Sequence, residues 1–556
     1  MSETKAVKVI IVGGVAGGAS AAARARRCNE AAEIILFEKD EYVSFANCGL
    51  PYYIGEEIVE RDKLLVATPE LFKQRFNIDV RTKHLVQSID LERKTVTVLN
   101  RETGETSEES WGRLILSPGA APIVPPLPGI DASNVFTLRN LNDADIIKEY
   151  IKQNNCQRAV VVGAGFIGLE MVEQLHRLNI STELVELQQQ VLPPLDPEMA
   201  HLIQEELTAH GVIVHLGTAL EKVTVEGSVA VGVELGNGTS LNADLVILGI
   251  GVSPATGLAK DVGIDIGDFG GISVNEYMQT SHPDVYAVGD AVEYTHGVLN
   301  YPLRIPLAGP ANRAGRLAGQ HAVTSNADPM VSPVGTAIVR VFGLTAAMTG
   351  LSKKFAEKAK HTNRSVIVIP KHHAGYFPGA ESLFLKLTYD PDTEQILGAQ
   401  AIGKEGIDKR IDVIATILKF RGTIRDLAGL DLAYAPPYGS AKDPVHIAAF
   451  VACNDLDGFA LMVEADADLS EFQILDVRSL KEVETFRFSN ITHIPVDELR
   501  QRLHELDRDK PILTVCHTGL RAYIAARILK QSGFKNVQNL TGGMLMQRHV
   551  RPELFE

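Results

Sequence analysis

Two of the five cysteines lie in settings where a thiol could do chemistry. Cys48 follows Ser44-Phe-Ala-Asn47, and Cys516 opens the segment Cys-His-Thr-Gly-Leu-Arg521. Each stands just before a probable helix start, where the helix dipole favours the thiolate, the nucleophilic form of cysteine. A thiolate at either place could attack a sulfur–sulfur bond. The remaining cysteines have no such setting and are predicted to be structural: Cys28, Cys156 and Cys453.

No second cysteine accompanies Cys48, and the chain contains no C-x-x-C pair. A lone thiolate cannot close an internal disulfide. It must store an oxidation as a mixed disulfide with a small thiol or as a sulfenic acid. The residues alone leave both options open. Such sparse cysteine usage is typical of a reducing compartment, so a cytoplasmic location is expected.

A glycine-rich turn near the start predicts a dinucleotide site. Gly13 and Gly18 belong to Val-Ile-Ile-Val-Gly-Gly-Val-Ala-Gly-Gly, which follows a predicted strand and opens a predicted helix. A pyrophosphate needs backbone N–H groups at a helix N-terminus and no side chain in the way. Val15 stands where the second glycine of the pattern usually lies. Glu38, at the end of the next strand, is suited to bind ribose hydroxyls.

A second turn matches the complete G-x-G-x-x-G pattern with Gly163, Gly165 and Gly168. Glu186 closes the strand that follows, and no arginine stands beside it. A carboxylate at this place accepts a hydrogen bond from the 2′-hydroxyl of NAD and repels the 2′-phosphate of NADP. We therefore expect NADH in preference to NADPH.

Strand and helix signals alternate in three segments, which predicts parallel sheets. Short strands within residues 335–450 indicate a separate α+β domain, and Asn454–Gly458 is the candidate linker before the last segment. The predicted elements are Val7–Val12, a helix through Arg27 and Glu33–Glu38; Ala159–Val162, a helix to Leu178 and Ser181–Glu186; Ile338–Phe342 and Leu383–Tyr389; and Ile474–Val477, Ile512–Cys516 and a helix from Gly519 to Ser532.

The two glycine loops, together with Thr280–Asp290 and Ser117–Ala120, resemble the glutathione-reductase-like flavoproteins over roughly residues 1–450. The resemblance implies an α/β fold with two dinucleotide-binding domains and an α+β dimerisation domain. The implied domains are FAD-binding over 1–118 and 246–328, NAD-binding over 119–245 and dimerisation over 329–455. The implied FAD ligands are Gly13, Gly14, Ala16, Gly17, Gly18, Glu38, Lys39, Asn47, Ser117, Gly119, Asp290 and Ala308; those of NADH are Gly163, Gly165, Ile167, Gly168, Glu186 and Gly251.

The segment around Cys48 resembles the single-cysteine branch of that superfamily, which contains coenzyme A disulfide reductases, persulfide reductases, NADH oxidases and peroxidases. In the oxidases and peroxidases a histidine commonly occupies the position of Ala16, whereas a small residue leaves room for a substrate thiol. On the residues alone, the arginines of the first helix could equally form a solvated face. The resemblance to coenzyme A disulfide reductases implies a coenzyme A channel, whose phosphates suit guanidinium donors. Its implied residues are Ser20, Arg24, Arg27, Ser44, Asn47, Asn312 and Lys442.

The same resemblance implies a homodimer whose second subunit completes the site. Tyr376 and Tyr434 match two tyrosines that reach across and hydrogen-bond the leaving sulfur near Cys48. Either tyrosine could instead be an interface aromatic.

Residues 460–556 resemble a rhodanese domain, which is an α/β fold. The specific part is Cys516-x-x-Gly519-x-Arg521, preceded by Asp476 and Glu482. The resemblance implies that the backbone N–H groups of this loop surround the terminal sulfur of a Cys516 persulfide. Arg521 is expected to close the loop by pairing with an acidic residue.

Composition is that of a multi-domain globular protein: 556 residues, 45% hydrophobic and 22% charged, with a net charge of −15. The acidic balance argues against a nucleic-acid or anionic-membrane partner, because those need a basic face. No signal peptide and no apolar run of about 20 residues is recognised, so no membrane insertion is expected. No metal site is predicted.

The predicted function is NADH- and FAD-dependent reduction of a persulfide, polysulfide or coenzyme A disulfide to hydrosulfide and thiol. The expected catalytic residues are Cys48, Cys516, Tyr376, Tyr434 and Arg521. Cys516 carries sulfane sulfur in this hypothesis, and a sulfur-donor protein is a candidate partner. Two alternatives stand beside it: an NADH oxidase or peroxidase that cycles Cys48 through a sulfenic acid, and a non-enzymatic redox sensor or sulfur-transfer partner.

Overall fold

The computed structural model describes residues 7–488 and 491–555. Contacts between Cα atoms divide the chain into two compact units. The first unit combines Met1–Leu187 with Val212–Gly335, and the second combines Gln188–Gly211 with Thr336–Glu556. We describe each unit by itself.

The first unit contains two five-stranded parallel sheets, each followed along the chain by helices. In both sheets the central strands are apolar and buried, as expected where helices cover both faces. The first sheet runs in the order Val285–Ala287, Arg113–Leu116, Lys8–Val12, Glu33–Phe37, Asp79–Arg81. The second runs Ile213–Leu216, Ser181–Glu186, Arg158–Val162, Leu245–Leu248, Val135–Thr137.

Small sheets and seven α-helices complete the described part of the first unit. The small sheets are His84–Asp90, Thr95–Asn100 and Thr106–Ser110; Leu220–Glu226, Val229–Leu235 and Ser240–Asn242; and Ala120–Pro122 with Val252–Pro254. A further small sheet pairs Ile272–Ser273 parallel and Pro302–Arg304 antiparallel with Val292–Thr295. The helices are Ala16–Cys28, Leu50–Ile54, Pro69–Phe76, Leu141–Asn154, Phe166–Arg177, Gly257–Lys260 and Ala308–Thr324.

Helices Ala16–Cys28 and Ala308–Thr324 pack backbone to backbone. A Cβ atom on Gly315 would lie 2.1 Å from the carbonyl oxygen of Gly17, and one on Gly319 would lie 2.2 Å from that of Ala21. Small residues at these crossing points permit the close approach, because any larger side chain would force the helices apart.

The second unit contains an antiparallel sheet and a parallel sheet. The antiparallel sheet runs Ala337–Val341, Leu344–Gly350, Ile396–Gly403, Leu383–Tyr389, Arg364–Val368, so the last strand is an edge. The parallel sheet runs Leu461–Val463, Val537–Leu540, Ile512–Val515, Gln473–Asp476, Thr492–His493. The helices are Pro197–Ala209, Lys353–Lys358, Ile407–Lys419, Ile424–Ala428, Pro444–Leu456, Leu480–Thr485, Leu520–Gln531 and Gly543–Val550.

The segment predicted as a linker is instead the end of a helix. Pro444–Leu456 includes Asn454 and Asp455, and Asp455 is buried. The Asp455 carboxylate accepts hydrogen bonds from Arg364, at 2.5 and 2.7 Å, from the Tyr389 hydroxyl at 2.6 Å and from the backbone N–H of Met462 at 2.8 Å. The prediction of a linker was therefore wrong, because this short polar stretch is the anchor of the C-terminal sheet to the antiparallel one.

A buried ion cluster ties Gln188–Gly211 to the antiparallel sheet. The Lys386 ammonium lies 2.8 Å from the Asp196 carboxylate and also bonds the Glu198 carboxylate. Gln400 holds Asp196 from a third side at 2.6 Å. Among the described residues, no helix is long and apolar enough to cross a lipid bilayer.

Candidate active sites

The first glycine loop, Gly13–Gly18, has the tight geometry that a dinucleotide requires. Gly13 has φ +93°, and a Cβ atom there would lie 2.1 Å from the carbonyl oxygen of Ser117. A Cβ atom on Gly18 would lie 1.8 Å from the carbonyl oxygen of Gly13. Glu38 accepts a hydrogen bond from the backbone N–H of Gly14 at 2.8 Å. The strand end, the helix start and the acidic residue thus meet at one edge of the sheet.

Burial raises the pKa of the Glu38 carboxyl, while the backbone N–H groups of Gly14 and Asp40 act in the opposite direction. The Glu38 carboxylate is therefore hydrogen-bonded to the glycine loop, next to the place where a ribose would bind. Of the other predicted FAD ligands here, Lys39 is exposed, and Ala16 and Gly17 open the first helix.

Distant predicted FAD ligands gather at the same loop. A Cβ atom on Gly17 would lie 2.9 Å from the Ser117 hydroxyl, and one on Gly289 would lie 3.8 Å from that hydroxyl. Asp290 follows Gly289 and accepts a hydrogen bond from Arg139 at 3.3 Å. Gly119, with φ +70°, faces the same Arg139 guanidinium. These residues fit FAD, since the loop, Asp290 and the strand end share one edge; Ala308 opens the helix packed on Ala16–Cys28.

The second glycine loop, Gly163–Gly168, repeats the arrangement. Gly163 has φ +104°, and a Cβ atom there would lie 2.4 Å from the carbonyl oxygen of Gly249, two residues before Gly251. Glu186 accepts a hydrogen bond from the backbone N–H of Ala164 at 2.7 Å. Nothing lies within 4 Å of a Cβ atom on Gly165, so this glycine faces open space. Ile167 is exposed on the first helical turn. The geometry fits a dinucleotide with ribose hydroxyls at Glu186.

Cys48 lies on the short turn Asn47–Gly49, directly before the helix Leu50–Ile54. It is exposed, and its Sγ lies 3.8 Å from Oδ1 of Asn47. Ser44, with φ 47°, starts the bend that presents this turn, and its backbone N–H donates to the carbonyl oxygen of Gly14. Cys48 thus lies four residues after Ser44, whose left-handed backbone is hydrogen-bonded to the first glycine loop.

The groups around Cys48 oppose its ionisation. Desolvation raises the pKa of the thiol first, and the carboxylates of Glu170 and Asp290 raise it further, while Arg139 acts in the opposite direction. These effects act against the stabilisation of the thiolate that was expected from the following helix, which stays a prediction. The helix Leu50–Ile54 has only five residues, so its dipole is small.

Two neighbouring helices carry four of the predicted coenzyme A residues of the first unit: Ser20, Arg24, Arg27 and Asn312. The Ser20 hydroxyl donates to Oδ1 of Asn312 at 2.6 Å, and the Arg24 guanidinium donates to Oε1 of Gln320 at 3.1 Å through Nε. Arg27 is exposed and bonds its own helix at the carbonyl of Ala23.

The neighbouring Arg26 is buried on three backbone carbonyls, those of Phe76, Glu30 and Asn77. The structure thus separates a structural arginine from two accessible ones.

Tyr376, Tyr434 and Lys442 belong to the second unit, and all three are exposed. The two tyrosine hydroxyls lie 3.1 Å apart, and this hydrogen bond raises the pKa of Tyr376. The structure therefore brings the tyrosines together. Their approach to Cys48 of a second subunit stays a prediction.

Cys516 directly follows the strand Ile512–Val515. It is the first residue of a loop, residues 516–521, that we call the cysteine loop. Its thiol is 1% exposed, and the backbone N–H of Gly519 donates to Sγ at 3.1 Å. Gly519 has φ +112°, which favours glycine, and a Cβ atom there would face open space. The loop can hold a sulfur atom bonded to Cys516.

Arg521 closes the cysteine loop through a two-pronged ion pair with Glu482, with both N–O distances 2.6 Å. The Arg521 hydrogen bonds hold the pKa of the Glu482 carboxyl far below its ordinary value. The expected acidic partner is therefore present. Behind it, Arg478 and Asp476 form a fully buried ion pair at 2.8 Å.

Sequence reasoning missed two features of the Cys48 site. Arg139 contacts Asp290, and Tyr52 donates to the Glu170 carboxylate at 3.0 Å. Glu170 stands two residues after Gly168 on the helix Phe166–Arg177, whereas Arg139 lies in a segment without any pattern.

Three family models match successive parts of the chain. A model of the pyridine nucleotide-disulphide oxidoreductases matches residues 7–315, one of their dimerisation domain matches 336–444, and one of the rhodanese-like domain matches 461–545. Coenzyme A disulfide reductase of Staphylococcus haemolyticus is 36% identical over 446 residues, which cover 80% of this chain and 99% of that protein.

Two solved structures are similar over nearly the whole chain. Reduced CoADR-RHD of Bacillus anthracis has a TM-score of 0.97 and 44% identity, with 99% of both chains covered. An NAD-dependent persulfide reductase from A. fulgidus has a TM-score of 0.91 and 39% identity, with 97% of this chain and 99% of that chain covered. The predicted fold class is confirmed: this chain belongs to the pyridine nucleotide-disulphide oxidoreductases, with a dimerisation domain and a C-terminal rhodanese-like domain.

Proposed function

We propose that the protein uses NADH and FAD to reduce a coenzyme A persulfide or disulfide, or a related polysulfide, releasing hydrosulfide and thiol. The observation that carries the proposal is the lone, exposed Cys48 thiol in a unit that also holds two glycine loops shaped for dinucleotides. The names of the similar proteins, a coenzyme A disulfide reductase and a persulfide reductase, point to the same substrates.

Cys48 is the nucleophile of the proposed reaction. Its thiolate attacks the carbon-bound sulfur of coenzyme A persulfide, the sulfur–sulfur bond breaks, and hydrosulfide leaves with the electron pair. The product is a Cys48–coenzyme A mixed disulfide. When bound, FAD supplies the two-electron transfer from NADH that returns this disulfide to two thiols. Arg24 and Arg27 hold coenzyme A phosphates, with Ser20, Ser44, Asn47, Asn312 and Lys442 as further contacts.

Cys516 is the carrier of sulfane sulfur. Its thiolate attacks the outer sulfur of a donor, and the donor leaves with the electron pair of the broken bond. A thiol such as coenzyme A then takes that sulfur and frees Cys516. The N–H groups of the cysteine loop, closed by Arg521, stabilise the charge on the transferred sulfur.

The proposed setting is a cytoplasmic homodimer. The dimerisation-domain match supports a dimer, and the exposed pair Tyr376 and Tyr434 is suited to meet the leaving sulfur across it. A protein that donates sulfur to Cys516 is a further part of the proposal.

The test is an anaerobic reaction of the full-length flavoprotein with NADH and coenzyme A persulfide. We expect hydrosulfide in equal amount to the NADH consumed. Cys48→Ser should retain bound FAD, and its rate of hydrosulfide formation should fall by more than about tenfold, because the thiol takes part in the reaction and does not hold the cofactor. NADH oxidation that occurs only when the same reaction is run in air, without hydrosulfide, would instead identify an oxidase.

A further inference from the structure

The cysteine loop is held from behind by a neighbouring helix. The backbone N–H of Met544 donates to the carbonyl oxygen of Cys516 at 2.8 Å, and that of Leu545 donates to the carbonyl oxygen of His517 at 3.0 Å. Both donors lie in the first turn of the helix Gly543–Val550, whose N–H groups have no partner within their own helix. Two loop carbonyls supply those partners.

This contact fixes the direction of the loop's N–H groups. A trans peptide unit is planar, so its N–H points opposite to its C=O. With the carbonyls of Cys516 and His517 directed to the helix, the N–H groups of His517 and Thr518 point away from it, towards the loop interior. The N–H of Gly519 already donates to the Cys516 sulfur at 3.1 Å.

The start of that helix is fixed in turn by the antiparallel sheet. The Thr541 hydroxyl accepts from the backbone N–H of Ile367 at 2.6 Å and donates to its carbonyl oxygen at 3.3 Å. The N–H of Gly542 donates to the same carbonyl at 3.0 Å. Ile367 lies in the edge strand Arg364–Val368. We call this set of contacts, among Ile367, Thr541 and Gly542, the clasp.

Gly543 follows the clasp directly and packs tightly against the cysteine loop. Gly543 has φ +59°, and a Cβ atom on it would lie 2.7 Å from the carbonyl oxygen of Cys516 and 2.8 Å from that of His517. Thr541 is buried. Any movement of Thr541 away from Ile367 therefore moves the helix start against the loop backbone.

We propose that Thr541 is a positioning residue of the sulfur-transfer site, and that the edge strand Arg364–Val368 of the antiparallel sheet supports that site. Thr541 acts through the first turn of the helix Gly543–Val550, which aims the loop N–H groups at the Cys516 sulfur. The inference rests on the proposed role of Cys516 as a sulfur carrier.

The test compares Thr541→Val, which keeps the shape and removes both hydroxyl contacts, with Thr541→Ser, which keeps the hydroxyl. Thr349→Val is the matched control: Thr349 is also fully buried and bonds a hydroxyl, that of Thr336 at 2.8 Å, but it lies in a central strand of the same sheet. Each full-length flavoprotein is assayed for sulfur transfer from thiosulfate to cyanide and for the pH dependence of Cys516 alkylation by iodoacetamide.

We expect Thr541→Val to lower the kcat of sulfur transfer by about tenfold, because misaimed N–H groups stabilise the transferred sulfur less well. The alkylation midpoint of Cys516 should move to higher pH for the same reason. Thr541→Ser and Thr349→Val should stay close to the wild-type protein in both measurements. Reduction of coenzyme A disulfide through Cys48 should not change in any variant.

Wild-type transfer and an unmoved midpoint in Thr541→Val would overturn the proposal, as would equal losses in Thr349→Val. If Thr541→Val does not fold, Thr541→Ala, which lacks both γ-methyl groups of valine, also removes the hydroxyl contacts and gives the comparison. Absence of thiocyanate from the wild-type protein would instead contradict the carrier role of Cys516, and the alkylation midpoint would still decide the role of Thr541.

Discussion

Burial and a few nearby charges together set the pKa of the Cys48 thiol. Glu170 and Asp290 add negative charge around a thiol whose pKa desolvation already raises, and Arg139 is a cation that acts against them. The chain thus keeps Cys48 more protonated than an ordinary cysteine near neutral pH. A thiol in this state is protected from adventitious oxidants, since reactivity follows the thiolate.

The balance of charge can be tested with two substitutions of opposite effect. Glu170→Gln should lower the pKa of Cys48, because it removes a nearby negative charge, and Arg139→Gln should raise it, because it removes the opposing positive charge. The measurement is the rate of Cys48 alkylation against pH, in protein whose flavin content has been checked. Midpoints that move in the same direction would show that structural loosening, and not charge, governs the thiol.

Glu186 should decide the choice of nicotinamide cofactor. Its carboxylate lies at the second glycine loop, bonded to the Ala164 N–H at 2.7 Å, where a 2′-phosphate would meet like charge. We expect kcat/KM to be at least about tenfold higher with NADH than with NADPH, and Glu186→Ala to reduce this ratio. Similar kcat/KM values for both cofactors in the wild-type protein would refute the assignment.

At the scale of elements, periodic apolar strands next to glycine turns were predicted closely. Ser181–Glu186 and Leu383–Tyr389 have the predicted bounds, and Lys8–Val12 differs from its prediction by one residue. Such strands are recognisable because one local pattern determines both burial and direction. The linker prediction failed at Asp455, because its four hydrogen-bond donors come from residues 7 to 91 positions away. Arg139 was missed for the same reason: its partner Asp290 is 151 positions distant.

The buried cluster around Lys386 makes an element-scale prediction about stability. Lys386→Met should destabilise the second unit by about 3–5 kcal/mol, because Asp196 and Glu198 would stay buried without their cation. Lys404→Met is the control, since Lys404 is 58% exposed and 3.7 Å from Glu381, and should change stability by at most about 1 kcal/mol. Denaturant unfolding of both variants gives the comparison. Equal unfolding midpoints for the two variants would mean that the buried ion cluster does not stabilise the fold.

For the whole molecule, two thiols imply a division of labour. Cys516→Ala should spare reduction of coenzyme A persulfide, which reaches Cys48 by diffusion, and should impair reduction when sulfur arrives from a protein persulfide or polymeric sulfur. The Asp455 anchor and the clasp show that Cys516 is not carried on a loose tether within its unit. Its proposed advantage is therefore a sulfur carrier on the same chain, which raises the effective concentration of the sulfur.

Steady-state NADH oxidation with both kinds of substrate measures this division. Equal loss on both in Cys516→Ala would place Cys516 in the reduction step itself. No loss on either would assign the C-terminal domain to packing alone.

The close packing of helices Ala16–Cys28 and Ala308–Thr324 has a consequence for synthesis on the ribosome. The first helix emerges early, but the partner on which its Gly17 and Ala21 pack is translated roughly 300 residues later, which takes about 15–60 s at 5–20 residues per second. During that interval the domain between them, with its own parallel sheet of five strands, is complete and free to fold. The domain that contains the first parallel sheet thus begins early in the chain and is completed late. Until then, the face of Ala16–Cys28 that packs on Ala308–Thr324 is uncovered and accessible to chaperones.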